Sequence, residues 1–167
     1  MRSKNKNIIL LLTFLAGTYM NAQQKTEKKH VKWRTYFEPS KTNLNEGCLV
    51  FEAQVDSGWQ MFAQNQLPQL PVGIEIMIKP TGNFTAMGML TGPLPEIAFS
   101  HTYNKPVAVY KGKVQFRQKI LLKSKEEFNV NAVVDNEEIS KAEEIFYYKN
   151  DVVVNVKPPK GIRLKFL

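Results

Sequence analysis

The sequence predicts an all-β protein, folded as an antiparallel β-sandwich. Short stretches of alternating apolar and polar residues recur along the 167-residue chain, and prolines lie between or beside them. No long helical pattern separates these stretches, so parallel β-α-β units are not expected. Hydrophobic residues make up 43% and charged residues 23% of the chain, which is typical of a globular protein. A chain of this length corresponds to one domain.

The first 22 residues have the pattern of a secretory signal peptide. Arg2, Lys4 and Lys6 precede a short apolar stretch at 8–17, and Ala22 provides a small residue for cleavage. The apolar stretch is shorter than the roughly 20 residues that a membrane-spanning helix needs. We therefore expect a periplasmic or secreted protein with no stable membrane span in its mature form. An uncleaved segment would instead tether the protein to the membrane.

The basic residues do not predict a nucleic-acid site. The formal net charge is +8, and three of the basic residues belong to the predicted signal peptide. The others are scattered, with small concentrations at 25–32 and 157–165. A nucleic-acid interface needs a contiguous basic stripe with interleaved aromatic residues. We therefore expect no nucleic-acid partner.

The order of elements follows from the alternation. Residues 23–30 are polar and predict a flexible lead-in, 31–156 form the predicted domain, and 157–167 form a C-terminal tail. The first clear strand is 47–55, where every second residue from Leu49 to Val55 is apolar. The remaining predicted strands are 72–78, 107–110, 114–120, 128–134 and 145–156.

Two connections are also predicted. Strands 107–110 and 114–120 flank Lys111-Gly112-Lys113, which predicts a β-hairpin with a glycine turn. Residues 136–144 contain Glu and Lys between two strands, and this stretch predicts a single turn of helix.

Three segments, taken in order, resemble a known family. They are Gly58-Trp59-Gln60-Met61-Phe62, Thr91-Gly92-Pro93-Leu94-Pro95 and the stretch from Tyr110 to Ile120. Together they resemble the N-terminal periplasmic domain of the thiol:disulfide interchange protein DsbD, particularly the form found in Bacteroidota-like envelopes. The resemblance extends over residues 31–156. It implies an immunoglobulin-like fold, and a domain that accepts electrons from a membrane-embedded partner and passes them to periplasmic thiol proteins.

The family performs this chemistry with a cysteine pair, and this chain lacks the pair. On the alignment that the resemblance implies, Val134 and Ile139 stand at the positions of the two cysteines. Disulfide exchange needs an attacking thiolate and a second sulfur to resolve the mixed disulfide. We therefore expect no enzymatic activity, no cofactor and no metal. The predicted function is that of a redox-inert binding or adaptor module.

The predicted working surface is one end of the sandwich, where such folds carry their binding loops. It would include Val134 and Ile139 as apolar contacts, with 59–66 and 91–103 as neighbouring loops. The candidate partner-binding residues are Trp59, Phe62, Val134, Ile139, His101 and Tyr103. The expected partners are envelope proteins, including thiol-disulfide exchange proteins or membrane transporters. A core position is the competing interpretation for Trp59.

Cys48 is the only cysteine, so an internal disulfide is excluded. Alternation places it with Val50 on the strand face opposite Leu49 and Phe51. Two interpretations are open: a half-buried, unreactive thiol, or a reactive thiol that forms a mixed disulfide with a partner. The second keeps a role in thiol-disulfide interchange, with the other sulfur supplied by the partner.

A copper(I)-handling protein is a further alternative. Met61, Met77, Met87 and Met89 supply soft thioether ligands, and His101 supplies an imidazole. Methionines at alternate positions of a strand are equally typical of a core or a sheet surface. A hydrolytic triad is not predicted, because no serine has the glycine pattern of a nucleophile elbow.

Overall fold

The computed structural model describes residues 28–64 and 73–161. These residues form ten β-strands and no helix, so the predicted all-β class is confirmed. The predicted signal peptide, most of the lead-in and residues 162–167 of the tail lie outside the described residues. The strands are β1 (Val31–Pro39), β2 (Glu46–Val55), β3 (Gln60–Phe62), β4 (Glu75–Ile78), β5 (Phe84–Thr91), β6 (Glu96–Ser100), β7 (Lys105–Tyr110), β8 (Lys113–Leu122), β9 (Phe128–Ile139) and β10 (Ile145–Val156).

The strands form two antiparallel sheets. The first sheet has the order β1-β2-β8-β5, and the second has the order β10-β9-β3-β7-β6. The short strand β4 also pairs with β9, at Ile76↔Val134 and the residues around it. β9 therefore has β10 along one edge and both β3 and β4 along the other, which makes it the central strand of the second sheet.

The core lies between the inner faces of the two sheets. Leu49, Phe51 and Ile120 of the first sheet pack with Val130 and Val154 of the second, and all five are fully buried. The alternation predicted for 47–55 produces this arrangement, because every second side chain of a strand points to the same face. Burying these side chains is the main stabilising contribution to the sandwich.

The predicted hairpin at Gly112 is wrong. β7 belongs to the second sheet and β8 to the first, so the turn carries the chain from one sheet to the other. The Gly112 carbonyl accepts a hydrogen bond from the amide of Val55 at the end of β2, at 2.8 Å. This bond and the positive φ of Gly112 (62°) direct the chain onto the first sheet. In the sequence, two consecutive strands that pair within one sheet have the same pattern as two strands that belong to different sheets.

The predicted helical turn at 136–144 is also wrong. β9 continues through Asn136 and Glu138 to Ile139, and only residues 140–144 form the connection to β10. Asn136 and Glu138 are buried on the inner face, although their polarity suggested a solvated turn. Their hydrogen-bond partners come from distant parts of the chain, which the local pattern cannot reveal.

Glu138 joins the two sheets at one end of the core. Its side chain is 0% exposed. Oε2 accepts the amide of His30 at 2.9 Å, and Oε1 accepts the amide of Val31 at 3.2 Å. Oε1 also accepts Nδ2 of Asn136 at 3.2 Å. Burial raises the pKa of Glu138, and these three hydrogen bonds oppose that rise.

The same polar group extends along β9. Asn136 Oδ1 accepts the indole N–H of Trp33 at 3.4 Å and Nδ2 of Asn150 at 2.9 Å. Trp33 lies on β1, and Asn150 lies on β10. The buried side chains of Glu138 and Asn136 therefore connect β1 of the first sheet with β9 and β10 of the second.

We expect Glu138→Ala to destabilise the protein by about 2–4 kcal/mol, because it leaves two main-chain N–H groups and one side-chain amide buried without an acceptor. This loss outweighs the relief of removing a buried charge. Equilibrium urea unfolding measures the change. Glu127→Ala is the matched control: Glu127 is an exposed residue near the start of the same strand, paired with Lys157 at 3.6 Å. We expect it to change stability by less than about 0.5 kcal/mol. Equal effects of the two variants would contradict the role assigned to Glu138.

Candidate functional site

Two connections meet at one end of the second sheet. They are loop 101–104 between β6 and β7 and turn 140–144 between β9 and β10, and together they are called the tip. Ser100 Oγ donates to Glu143 Oε2 at 2.8 Å, and the amide of Thr102 donates to the same oxygen at 3.4 Å. Thr102 Oγ1 donates to the main-chain carbonyl of Glu143 at 3.3 Å. The carboxylate of one connection therefore holds the other connection in place.

Both connections of the tip contain a residue in the left-handed region. Asn104 has a φ of 50° and Glu143 a φ of 61°, and these are the two non-glycine residues with positive φ among the described residues. Asparagine adopts this conformation readily, whereas glutamate does so at a cost. Such residues persist where the surrounding contacts hold them, and they are concentrated at functional sites.

Ser140 closes the turn that contains Glu143. Its amide donates to the Glu144 carbonyl at 3.0 Å, and its carbonyl accepts the amide of Glu143 at 3.1 Å. Ser140 Oγ accepts the amides of Ala142 and Glu144, both at 3.2 Å. A serine at the first position of a tight turn typically makes such contacts with the following main chain.

A small apolar cluster supports the tip from the outer face of the second sheet. Phe62 follows the core residue Met61 on β3 and points to the opposite face. Tyr103 of loop 101–104 packs its ring edge-on against Phe62, with 6.1 Å between centroids. The buried members of this outer cluster are Phe62, Val107, Val109 and Ile139, and Ala98, Tyr103 and Ile145 pack against them.

The ionisable groups of the tip have shifted pKa values. The hydrogen bond from Ser100 lowers the pKa of Glu143, and the bonds from Thr102 and from the His101 amide act in the same direction. Burial raises the pKa of Tyr103, and the nearby charge of Glu137 adds to this rise. Glu143 is therefore a stable carboxylate at neutral pH, and Tyr103 remains a protonated phenol.

The structure brings three of the predicted binding residues together. Phe62, Tyr103 and Ile139 share the outer cluster. His101 lies in the adjacent loop, with its ring edge-on to Phe99 at 5.2 Å. The sequence did not indicate the contribution of Ser100 and Glu143, because their hydrogen bond joins residues far apart in the chain.

Trp59 lies outside the tip. Its ring stacks on that of His30, with centroids 3.7 Å apart and planes within 6° of parallel, and it also contacts Phe146 at 5.6 Å. His30 Nδ1 lies 3.3 Å from Asp56 Oδ2. Trp59 thus packs against the start of β1 and against β10, beside the main core.

The predicted exposure of Val134 and Ile139 is corrected by the structure. Val134 is 0% exposed within the main core, and Ile139 is buried in the outer cluster, so neither side chain is presented to a partner. They point to opposite faces, because odd spacing along a strand reverses the face. The apolar character of both residues therefore serves packing.

The two positions also cannot form a cysteine pair in this fold. They lie on the same strand, β9, and at about 3.3 Å per residue their Cα atoms are roughly 16 Å apart. A disulfide requires Cα atoms within about 7 Å. The residue directly opposite Ile139 is Ile145 on β10, across turn 140–144. The sequence pattern predicted that this strand ends at residue 134, whereas β9 continues to Ile139, so the pairing of Ile139 with Ile145 was not expected.

Cys48 lies on the outer face of the first sheet, far along the chain from the tip connections. It is half-buried on β2, opposite Glu38 of β1 and Lys119 of β8. Arg117, which pairs with Glu38, lies beside the thiol. These residues line a shallow cavity of about 210 Å³. The cysteine therefore has cationic neighbours and access to small reagents.

The four methionines considered as copper ligands, all of them among the described residues, do not share one environment. Met61 is fully buried in the main core, whereas Met89 is 87% exposed on β5. The pairing of β5 with β8 is irregular between Met87 and Thr91, so Met87 and Met89 do not follow a regular strand. Within the described ranges, no three or more His, Cys, Asp and Glu side chains are placed to hold a metal ion.

Comparisons with known proteins establish the fold. The N-terminal periplasmic domain of ScsB from Proteus mirabilis matches with a TM-score of 0.52 at 18% identity, over 79% of this chain and 48% of that chain. The chain has the fold of that domain. The predicted fold class, an immunoglobulin-like antiparallel sandwich, is thereby confirmed. No family model and no curated protein matches the sequence.

Two other solved structures are similar at 10% identity. The Neisseria meningitidis DsbD N-terminal domain in its reduced form has a TM-score of 0.48, over 75% of this chain and 84% of that one. The complex of the DsbD and PilB N-terminal domains from the same organism has a TM-score of 0.43, over 74% of this chain and 80% of that one.

Over residues 28–64 and 73–161, this chain contains no helix long and apolar enough to cross a membrane.

In this ScsB-type sandwich, we expect Glu143→Ala to release loop 101–104 from turn 140–144. The amides of His101 and Thr102 lose their acceptor, so their hydrogen exchange should accelerate by about tenfold or more, which corresponds to roughly 1.4 kcal/mol of lost protection. Exchange monitored by NMR measures this effect. Glu144→Ala, at the exposed neighbouring position, should leave both rates unchanged. Unchanged rates in Glu143→Ala would show that the carboxylate does not hold the loop.

The same contact predicts a pH dependence. Because the pKa of Glu143 is lowered in the folded state, its stabilising contribution is fully present above the ordinary glutamate value. That contribution is lost as pH falls through the lowered folded value. The Thr102 amide shift, followed by NMR between about pH 7 and pH 3, should report this transition below the ordinary glutamate pKa of about 4.3. Glu143→Gln should abolish the transition, and a midpoint above the ordinary value would contradict the assignment.

Proposed function

We propose that this chain is a non-covalent protein-binding module of the cell envelope, and that the tip is its working surface. The main support for the proposal is the way in which the two connections of the tip hold each other in place. Glu143 holds a costly left-handed conformation, and its carboxylate anchors the neighbouring loop through Ser100 and Thr102. A loop that is ordered before binding loses less conformational entropy when a partner docks.

The accessible residues of the tip suit such contacts. His101, Thr102 and Asn104 are exposed, while Tyr103 between them is anchored on Phe62. Loops at the end of a sandwich, positioned by rigid strands, are the usual place for binding residues in this fold class. Trp59 and the buried residues Val134, Ile139 and Phe62 serve the proposed surface by supporting the strands behind it.

The single cysteine favours a non-covalent role. A dithiol reaction within this chain is impossible, since a second sulfur is required. The proposed partners are envelope proteins, including proteins of thiol-disulfide exchange or a membrane transporter.

A thiol-dependent role through Cys48 is the second candidate. Cys48 is half-buried and lines the same shallow cavity as Arg117 and Lys119, so a partner group can reach its sulfur. In this alternative, the Cys48 thiolate attacks a disulfide of the partner, which forms a mixed disulfide and releases one partner sulfur as a thiolate. A partner thiolate then attacks the mixed disulfide and releases Cys48 as a thiol, so no external oxidant is needed. The first sheet, rather than the tip, would then face the partner.

Site-specific photo-crosslinking in cells that encode the protein separates the two candidates. A photoreactive phenylalanine analogue at Thr102 should give partner adducts, whereas the same group at Asn129 should not. Asn129 is exposed near the opposite end of β9, where it pairs with Asn155. The Thr102 adducts should survive reducing agent and persist in the Cys48→Ser background. Equal adducts at both positions would contradict the tip as the working surface, and loss of adducts in Cys48→Ser would favour the thiol route.

A further inference from the structure

β6 is the outermost strand of the second sheet. Among the described residues it pairs with β7 along one edge, and no strand pairs with its other edge. An open edge presents unpaired N–H and C=O groups and is a template for a further strand. The residues of this edge are Glu96-Ile97-Ala98-Phe99-Ser100.

Pro106 determines which groups point outward. It stands opposite Phe99 in the β6–β7 register, and proline has no amide hydrogen. Phe99 and Pro106 therefore cannot exchange hydrogen bonds, so the ladder bonds fall on the flanking pairs Ala98↔Val107 and Ser100↔Lys105. Consequently the amide and carbonyl groups of Ile97 and Phe99 point away from β7, towards the open edge.

The side chains of the same two residues are exposed. Ile97 is 72% and Phe99 is 53% exposed, although both are large and apolar. They share one face of β6, because they are two positions apart, while Ala98 packs on the outer cluster. Natural edge strands are usually protected by a lysine, a bulge or an inward-pointing charge. β6 contains no lysine, and its register with β7 is uninterrupted.

We propose that β6 pairs in antiparallel fashion with β6 of a second copy of this chain, about a twofold axis at Ala98. The proposal goes beyond the binding function of the tip and does not depend on it. In this arrangement Ile97 exchanges both main-chain hydrogen bonds with Phe99 of the second copy, and Ala98 faces Ala98. The two second sheets then form one continuous sheet across the axis.

The strand is complementary to itself in this register. Ile97 lies opposite Phe99 of the second copy on the same face, and pairs of aromatic and β-branched residues are favourable in antiparallel sheets. Glu96 lies opposite Ser100, which is uncharged, and its carboxylate is already paired with Lys111 at 2.9 Å. A shift of two residues towards the start of β6 would bring Pro95 into a hydrogen-bonding position, and it has no N–H to donate.

The size of the interface indicates a weak dimer. A five-residue edge buries less than the roughly 1,200 Å² of a standard stable interface, so we expect a dissociation constant of about 10 µM to 1 mM. Sedimentation velocity of the purified protein, from about 1 µM to 1 mM, should therefore show a reversible monomer–dimer equilibrium. A monomer over this whole range would overturn the proposal.

Edge variants test the location. Ile97→Lys places a charge in the proposed interface on an exposed side chain, and it should weaken dimerisation by at least about tenfold. Phe99→Pro removes the outward amide together with the exposed phenyl ring, while the ladder bonds to β7 at the neighbouring residues remain, and it should have the same effect. Val153→Lys is the control, since Val153 is 50% exposed on β10 at the opposite edge of the sheet. An equal loss in the control, or unchanged dimerisation in both edge variants, would overturn the proposal.

A cysteine cross-link tests the register. In the Cys48→Ser background, Ala98→Cys places two thiols at a non-hydrogen-bonded antiparallel pair, where Cα atoms are about 4.5 Å apart and a disulfide can form. Mild oxidation should give a covalent dimer on a non-reducing gel. Val153→Cys in the same background should remain monomeric. Absence of the Ala98→Cys dimer, or equal cross-linking in both variants, would show that β6 does not pair with itself. The open edge would then be available for pairing with an extended segment of another protein.

Discussion

The buried carboxylate of Glu138 is the constraint on which the rest of the sandwich depends. It accepts the amides of the residues where the first sheet begins, His30 and Val31, and it belongs to the central strand of the second sheet. A negative charge at this depth is unfavourable unless donors surround it. Because three donors converge on it, the position of β1 over β9 is specified more narrowly than apolar packing alone would require.

β9 transmits this constraint to the tip. The strand that carries Glu138 on its inner face carries Ile139 on its outer face, and the turn to β10 begins immediately afterwards. The outer cluster and the Ser100–Glu143 hydrogen bond then hold the second connection against the first. The left-handed Glu143 is thus supported by contacts from two directions, which is how an unfavourable local conformation persists in a folded protein.

The thiol chemistry of this chain is limited by its single cysteine. Cys48 lies on the first sheet, whereas the tip and the β6 edge belong to the second. The two surfaces proposed for association therefore use main-chain groups, a carboxylate and aromatic side chains. The chain has the fold of the ScsB domain, and its single cysteine excludes dithiol exchange within the chain.

The sequence by itself determined the all-β class, the strand pattern around Leu49 and Phe51, and the absence of an internal disulfide, because alternation is a local property and cysteines can be counted. Only the tertiary structure decided that the strands flanking Gly112 belong to different sheets, that Glu138 is buried, and that Ile145 stands opposite Ile139. Strand pairing joins residues that are distant in sequence. Whether a polar residue such as Glu138 is solvated or buried depends on donors that arrive from other strands.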